Sequence, residues 1–179
     1  MSKGTTSFKS ELRIEKRIAF LVLPLVFMLT ISVPTFTPHH TLAQSPPQSN
    51  EQSFANSFES VVNETRLLAL DYDAQVQKWQ GSELSNETMA SITDTYLPKY
   101  QELINKTNAL QTPAGYENVT SLYAKSIESE LKSNIQFRDF LLTGNKTESE
   151  ASMQSLSDAF KYEMESFKAF KSASNATNK

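Results

Sequence analysis

The chain has 179 residues and a formal net charge of −3, with no cysteine and only two histidines, adjacent at His39 and His40. This length holds one domain once a targeting segment is set aside. The lack of cysteine excludes disulfides, thiolate zinc sites, iron–sulfur clusters and cysteine nucleophiles, because each needs a sulfur atom. No histidine follows His40, so the commonest general base is missing too. We therefore predict that the protein is not an enzyme and has no catalytic residue, no metal site and no cofactor.

The N-terminus has the pattern of an export signal. Five basic residues precede an uncharged apolar run from Ile18 to Phe36. We predict that residues 1–43 form a signal peptide cleaved after Ala43. The alternative is an uncleaved signal anchor, because residues 18–36 are nearly long enough to cross a ~30 Å hydrocarbon core. In both cases the basic flank stays in the cytoplasm, and the rest of the chain is extracytoplasmic, either secreted or anchored to the cell membrane.

The predicted exported part is acidic. Five of the 17 basic and two of the 20 acidic residues precede position 44, which leaves a charge of −6 on residues 44–179. We expect no nucleic-acid partner, because binding to phosphates requires a basic patch. Residues 44–50 contain Pro46 and Pro47. They are predicted to form an extended linker, since proline disfavours a helix before it.

Two amphipathic segments follow the linker. In residues 51–80 the inner positions recur at steps of four and three, with Gln75 as the polar exception, which predicts a long helix with one buried face. These positions are Phe54, Phe58, Val61, Thr65, Leu68, Tyr72 and Trp79. The second segment, residues 85–111, contains Pro98. We expect a kink or a split there, because proline removes a backbone hydrogen bond.

Two further segments carry helix-start signals. Thr112 followed by Pro113 offers a side-chain cap and then a proline at the first helical position, so a third helix is predicted from there to Thr143. Thr147 and Glu150 have capping-box spacing and predict the start of a fourth helix. The predicted inner face of the fourth helix holds Met153, Leu156, Phe160, Met164, Phe167 and Phe170.

These segments together define the predicted fold. The glycines after the linker, Gly81, Gly115 and Gly144, lie near the segment boundaries, where a helix end favours glycine. Short links between long helices favour antiparallel neighbours. We therefore predict an all-α fold, an up-down-up-down antiparallel four-helix bundle over residues 51–174, followed by a flexible tail of residues 175–179.

Asn-x-Thr triplets are strongly enriched in the predicted exported part. If asparagine and threonine were distributed at random over this part of the chain, about 0.8 such triplets would be expected. The six acceptor asparagines are Asn63, Asn86, Asn105, Asn118, Asn145 and Asn175. This enrichment predicts an N-glycosylated protein; the alternative is a polar surface without sugars. Thr65 and Thr107 fall on predicted inner faces, so a folded helix is expected to present those two triplets poorly.

One acidic residue and the tyrosines remain as candidates for chemistry. Glu163 lies between Phe160 and Phe167 on the predicted inner face of the fourth helix, where an unpaired carboxylate is costly. A proton-handling or ligand-binding role competes with a rotated helix or an ion pair with a residue such as Arg66, and we favour the latter two. The tyrosines suit either a ligand slot between helices or a core with hydroxyls at its rim, and we favour the core. They are Tyr72, Tyr96, Tyr100, Tyr116, Tyr123 and Tyr162.

The turn between the third and fourth helices resembles a known family. From Arg138 to Asn145 the chain reads Arg-Asp-Phe-Leu-Leu-Thr-Gly-Asn, and an acidic helix start follows at Glu148. This stretch is similar to the Arg-x-aromatic-Leu-Leu-Thr-Gly turn of extracytoplasmic four-helix sensor bundles, the CHASE-type and chemoreceptor sensor domains. The resemblance covers residues 138–172 and implies a bundle of sensor-like shape. We expect it to be detached from any signalling domain, because no second membrane helix precedes Lys179.

The sequence therefore predicts a binding protein. We expect an exported, N-glycosylated, non-enzymatic helical bundle of the cell surface or extracytoplasmic space, which binds a surface protein or a second copy of itself. If the N-terminal signal is not cleaved, residues 18–36 also hold it to the membrane. The alternative is a sensor-like bundle without its own signalling domain, which binds a small molecule in a pocket between helices near Pro98.

Overall fold

The computed structural model describes residues 50–177, which form four helices and no strand. Helix α1 spans Asn50–Gln80, α2 spans Asn86–Asn108, α3 spans Glu117–Thr143 and α4 spans Lys146–Thr177. The predicted all-α class is confirmed. The predicted signal segment, its cleavage after Ala43 and the predicted linker up to residue 49 lie outside the described residues. Within the described part, no helix is both long and apolar enough to cross a membrane.

Helix α1 buries the face that its periodicity predicts. Its buried residues are Phe54, Phe58, Val61, Thr65, Tyr72, Val76 and Trp79. Leu68 is only partly buried, and the buried face includes Val76, which the predicted set lacks. After Gln80, Ser82 adopts a φ of 65°, a left-handed conformation that ends the helix.

Helix α2 is continuous through its proline. It begins after Ser85, whose side-chain oxygen accepts a hydrogen bond from the backbone N–H of Thr88 at 3.1 Å, as an N-cap does. Pro98 lies inside the helix, so the predicted split is wrong. Tyr96 and Tyr100, on either side of the proline, are both buried.

Helix α3 begins later than predicted. Thr112 does not act as a cap, because its hydroxyl donates to the carbonyl oxygen of Leu110 at 3.2 Å. Gly115 has a φ of 90°, which interrupts any helix that would start at Pro113. The helix begins at Glu117. The Oε2 atom of Glu117 accepts a hydrogen bond from the Gly115 N–H at 2.8 Å.

Helix α4 differs from its prediction at both ends. Oδ1 of Asn145 accepts a hydrogen bond from the Thr147 N–H at 3.1 Å, so Asn145 is the capping residue. Thr147 already lies inside the helix, and the predicted capping box with Glu150 is therefore wrong. The helix continues to Thr177, which places residues 175–177 of the predicted tail in its last turn.

Aromatic rings from three parts of the chain fill one region of the core. Phe54 and Phe58 of α1 stack with Phe170 of α4, at ring-centroid distances of 6.4 and 5.6 Å. Tyr116 meets Phe54 edge-on at 5.1 Å, and Tyr123 of α3 meets Phe58 at 5.2 Å. Rings at these spacings stabilise a core beyond the burial of their area.

Helices α3 and α4 pack closely through small residues. Serine hydroxyls donate to backbone carbonyl oxygens of the partner helix at three levels: Ser166 to Val119 at 2.8 Å, Ser126 to Ala159 at 2.9 Å and Ser133 to Ser152 at 2.8 Å. A short side chain reaches the backbone of a neighbouring helix only where the two helices approach closely. The tightest contact of α4 is thus made by its small residues.

The predicted inner face of α4 is therefore only partly covered. Phe160, Phe167 and Phe170 are partly buried, and Met164 is 48% exposed. The most buried positions of the helix are instead Ser152, Ser155, Ala159 and Ser166. The small residues of α4 make its closest contacts with α3, and Phe167 packs beside them with its ring 6.1 Å from that of Tyr123, so the buried face is turned toward the small residues relative to the prediction.

Candidate functional site

Most of the predicted glycan acceptors lie on the surface. Five of the six asparagines are exposed: Asn63, Asn105, Asn118, Asn145 and Asn175. Asn86 is partly buried, and its Oδ1 accepts a hydrogen bond from Nε1 of Trp79 at 2.9 Å. That bond uses the side-chain oxygen of Asn86 and not its amide nitrogen, which is the atom that would carry a sugar.

The threonines of two triplets are buried. Thr65 is 7% exposed and Thr107 is 0% exposed. Their hydroxyls donate to the carbonyl oxygens of Val61 and Leu103, at 2.9 and 2.8 Å. As expected, the folded helices bury the threonines of these two triplets. Thr88 and Thr147, by contrast, are exposed.

A buried carboxyl group lies at the contact between α2 and α3. The hydroxyl of Tyr100 donates to Oε1 of Glu130 at 2.9 Å. Burial raises the pKa of Glu130 to about 7; the hydrogen bond from Tyr100 lowers it and the charge of Glu163 raises it further. A carboxyl group with such a pKa exchanges its proton near neutral pH.

Glu163 is the second acidic group near this position. It is partly exposed, and burial raises its pKa. Within residues 50–177 no ion pair joins it to Arg66, which is exposed. The ion-pair interpretation is therefore wrong. The partial exposure of Glu163 agrees with the rotated-helix interpretation.

Asn134 lies one helical turn beyond Glu130. It is 7% exposed and lies beside the hydroxyl of Tyr100. Its Nδ2 atom has no hydrogen-bond partner among the described residues. Its interaction with the Tyr100 hydroxyl lowers the pKa of Tyr100, against the larger effect of burial, which raises it. We call Tyr100, Glu130, Asn134 and Glu163 the Glu130 cluster.

Two more tyrosines lie near the Glu130 cluster. Burial is the main cause that raises the pKa of Tyr123, and the charges of Glu163 and Glu130 raise it further. Burial likewise raises the pKa of Tyr72, with a smaller contribution from the charge of Glu130. The hydroxyl of Tyr72 is 3.0 Å from that of Thr93. Tyrosines from α1, α2 and α3 therefore lie near one acidic group.

The other tyrosines do not join this group. Tyr116 lies among the aromatic rings with its hydroxyl 3.2 Å from that of Ser174, and Tyr162 is partly buried on α4. Tyr96 donates to Oδ2 of Asp71 at 2.5 Å, and burial is the first cause that raises its pKa, to about 12. The six tyrosines named from the sequence therefore do not form one group but lie at separate positions in the structure.

Sequence reasoning missed Glu130 and Asn134. The inner face of α3 passes from Ile127 to Glu130 and Asn134 at steps of three and four, whereas the apolar pattern favoured Leu131 and Ile135. Asn134 is buried, whereas Glu130, Leu131 and Ile135 are all partly buried as whole residues. The available signal was the pair of polar residues that continues the helical spacing of Val119, Tyr123 and Ile127.

A shallow depression lies away from the Glu130 cluster. Its volume is about 280 Å³, and it is lined by Asn108, Thr120, Ser121, Ala124, Lys125 and Glu128. It lies between the end of α2 and the first half of α3, not at Pro98, where a pocket was predicted. Pro98 itself is exposed on α2.

The residues of the sensor-like turn connect two helices. Arg138 of α3 forms ion pairs with Asp94 of α2 at 2.9 Å and with Asp139 at 2.8 Å. These carboxylates raise the pKa of the Arg138 guanidinium. Gly144 ends α3 with a φ of 69°. The turn therefore has a structural role in joining α3 to α2 and in starting α4.

Comparison with known protein families, with curated proteins and with solved structures gave no match to this chain. The resemblance of residues 138–172 to sensor bundles stays a prediction from the sequence.

Proposed function

We propose that the protein is an exported, N-glycosylated, non-enzymatic bundle that acts as a protein-interaction module in the extracytoplasmic space. The observation that carries this proposal is the set of Asn-x-Thr triplets, because five of the six acceptor asparagines are exposed. Glycans at these positions would keep much of the surface solvated and leave the remaining faces for contacts.

An up-down-up-down arrangement of the helices is part of this proposal. The start of α1, the residue before α3 and the end of α4 supply rings to one cluster, through Phe54, Tyr116 and Phe170. Alternating helix directions would bring those chain positions to the same end of a bundle. The links between helices are also short, which favours antiparallel neighbours.

Exposed apolar side chains offer a contact surface for a partner. Leu67 and Leu70 of α1 are 59% and 39% exposed. They are three residues apart and so are neighbours on one helix face. Exposed leucines at such a spacing suit an apolar contact with a surface protein or a second copy of the chain.

The partner surface is tested by changing both leucines. We expect Leu67→Glu with Leu70→Glu to weaken self-association or partner capture by about tenfold or more, because a charged side chain disrupts an apolar contact. Light scattering and cross-linking of protein from its native host would measure the loss. Ser57→Glu, at another exposed position on α1, is the matched control. Unchanged association of the double variant would refute this surface as the contact.

A second function is favoured by the Glu130 cluster. Polar side chains of Tyr100, Glu130 and Asn134 meet inside the bundle, where apolar residues are the usual occupants. The second candidate is therefore a small-molecule-binding bundle, with its site at the Glu130 cluster.

A further inference from the structure

Asn63 shares an exposed helix face with the leucines of α1. Asn63, Leu67, Leu70 and Ala74 follow one another at steps of four, three and four residues, and all four are exposed. Residues at these steps are neighbours on one side of a helix. We call Leu67, Leu70 and Ala74 the leucine surface. A group attached to Asn63 therefore stands at one end of the leucine surface.

The direction of helical side chains brings Asn63 and Leu67 together. In an α-helix the Cα–Cβ bonds tilt toward the N-terminus, so Leu67 points back over the turn that holds Asn63. Side chains four residues apart have Cβ atoms about 5–6 Å from each other. Leu70 lies about 10 Å from Asn63 along the helix axis, at 1.5 Å per residue. The first sugar on Asn63 therefore contacts Leu67, and the following sugars reach Leu70.

The folded helix removes the rest of the Asn63 triplet from reach. Thr65 is buried, and its hydroxyl donates to the carbonyl oxygen of Val61. Glu64, the middle residue of the triplet, forms an ion pair with Lys106 of α2 at 2.7 Å. An enzyme that recognises Asn-x-Thr needs the threonine as well as the asparagine. Asn63 is therefore modified before α1 packs against α2, and its state is fixed once the chain has folded.

We propose that a sugar linked to Asn63 covers the leucine surface and so decides, before folding, which chains associate through it. This inference rests on the proposed function, because it needs both N-glycosylation and the leucine contact. A glycan is bulky and hydrated, and it occupies the space that a second copy of the chain would take. A chain without this sugar keeps Leu67 59% exposed and Leu70 39% exposed, which leaves an apolar face for self-association.

The modification is the transfer of a sugar from a phosphate-activated donor. Nδ2 of Asn63 forms a bond to the anomeric carbon of the sugar. The bond between that carbon and the phosphate oxygen breaks, the phosphate leaves with the electron pair, and the amide loses one proton. A transferase of the host supplies the donor and the catalysis, so the chain itself contributes only the acceptor.

Size-exclusion chromatography with light scattering, applied to protein from its native host, tests the proposal. Peptide mapping then gives the fraction of Asn63 that carries sugar in the monomeric and in the associated pool. We expect that fraction to be about tenfold or more higher in the monomer, which corresponds to about 1.4 kcal/mol of association free energy. Asn118, an exposed acceptor on α3, is the control and should be equally occupied in both pools.

Asn63→Gln removes the acceptor and keeps an amide at an exposed position. We expect this variant to move into the associated pool, and Asn118→Gln to distribute as the unchanged chain does. Adding Leu67→Glu and Leu70→Glu to Asn63→Gln should return the chain to the monomeric pool, because charged side chains disrupt the apolar contact.

Three results would overturn the proposal and leave the proposed function standing. They are sugar on other acceptors but none on Asn63, equal occupancy of Asn63 in the two pools, and an Asn63→Gln variant that associates no more than Asn118→Gln. Full association of the triple variant would show that the leucine surface is not the contact, so the proposed contact surface would fail together with this inference. A chain with no sugar on any acceptor would contradict the glycan part of the proposed function, and this inference with it.

Discussion

At the scale of single residues, the most informative group is Glu130. Its carboxyl group accepts a hydrogen bond from Tyr100 of α2 and is repelled by Glu163 of α4. Its charge also affects Tyr72 of α1 and Tyr123 of α3. A change in the protonation of Glu130 therefore affects groups on all four helices.

The raised pKa of Glu130 predicts a pH-dependent stability. The folded state favours the protonated form, so this stabilisation is fully present below the ordinary value of 4.5 and is lost as the pH rises through about 7. We expect the free energy of unfolding to fall by about 3 kcal/mol over that interval, at 1.36 kcal/mol per pKa unit. Urea unfolding at a series of pH values measures this change.

Glu130→Gln should remove most of this slope, while the raised pKa of Glu163 leaves a smaller slope of the same sign. Glu128→Gln should keep the slope of the unchanged chain, because Glu128 is exposed. Identical slopes in the two variants would contradict the assignment to Glu130.

At the scale of elements, the helix ends depend on backbone conformation more than on side-chain signals. α3 ends at Gly144 with a φ of 69°, and α1 ends before Ser82 with a φ of 65°. Gly81 does not have a positive φ, and a Cβ there would meet Gln77 O at an ordinary 3.4 Å. Gly144 is thus required for its positive φ and Gly81 is not, although both residues follow a helix.

This difference predicts opposite effects of the same substitution. Gly144→Ala should destabilise the chain by about 1–2 kcal/mol, because a side chain disfavours the left-handed conformation. Gly81→Ala should be neutral or stabilise by up to about 1 kcal/mol, since it restricts the unfolded chain without strain. Thermal and urea unfolding of both variants measures the contrast. Equal destabilisation by the two substitutions would show that conformation does not explain the role of Gly144.

At the scale of the whole molecule, the sequence predicted the helices better than their rotation. The spacing of Phe54, Phe58 and Val61 identified the buried face of α1, because large apolar residues there have no competing face. In α4 the competing face consists of small residues such as Ser166, whose bond to Val119 O brings the helices close. Apolar periodicity does not detect such a face, and on α3 it likewise did not identify the polar residues Glu130 and Asn134 as inner positions.

The starts of α3 and α4 were misassigned for a related reason. Thr112 and Thr147 have side chains that can cap, but Gly115 with its φ of 90° and the Asn145 side chain determine where the helices begin. A capping pattern names several candidate residues within a few positions, and only the local backbone selects among them.

The central claim is that the chain is exported and carries N-linked glycans. Intact mass spectrometry of protein from its native host, followed by peptide mapping, tests it most directly. We predict hexose-scale additions, with occupied asparagines that include Asn145, whose triplet is exposed at both Asn145 and Thr147. Asn63 and Asn105 should carry sugar only where modification precedes folding, because Thr65 and Thr107 are buried. A mass equal to the polypeptide alone, with no addition on any of the six asparagines, would contradict the account.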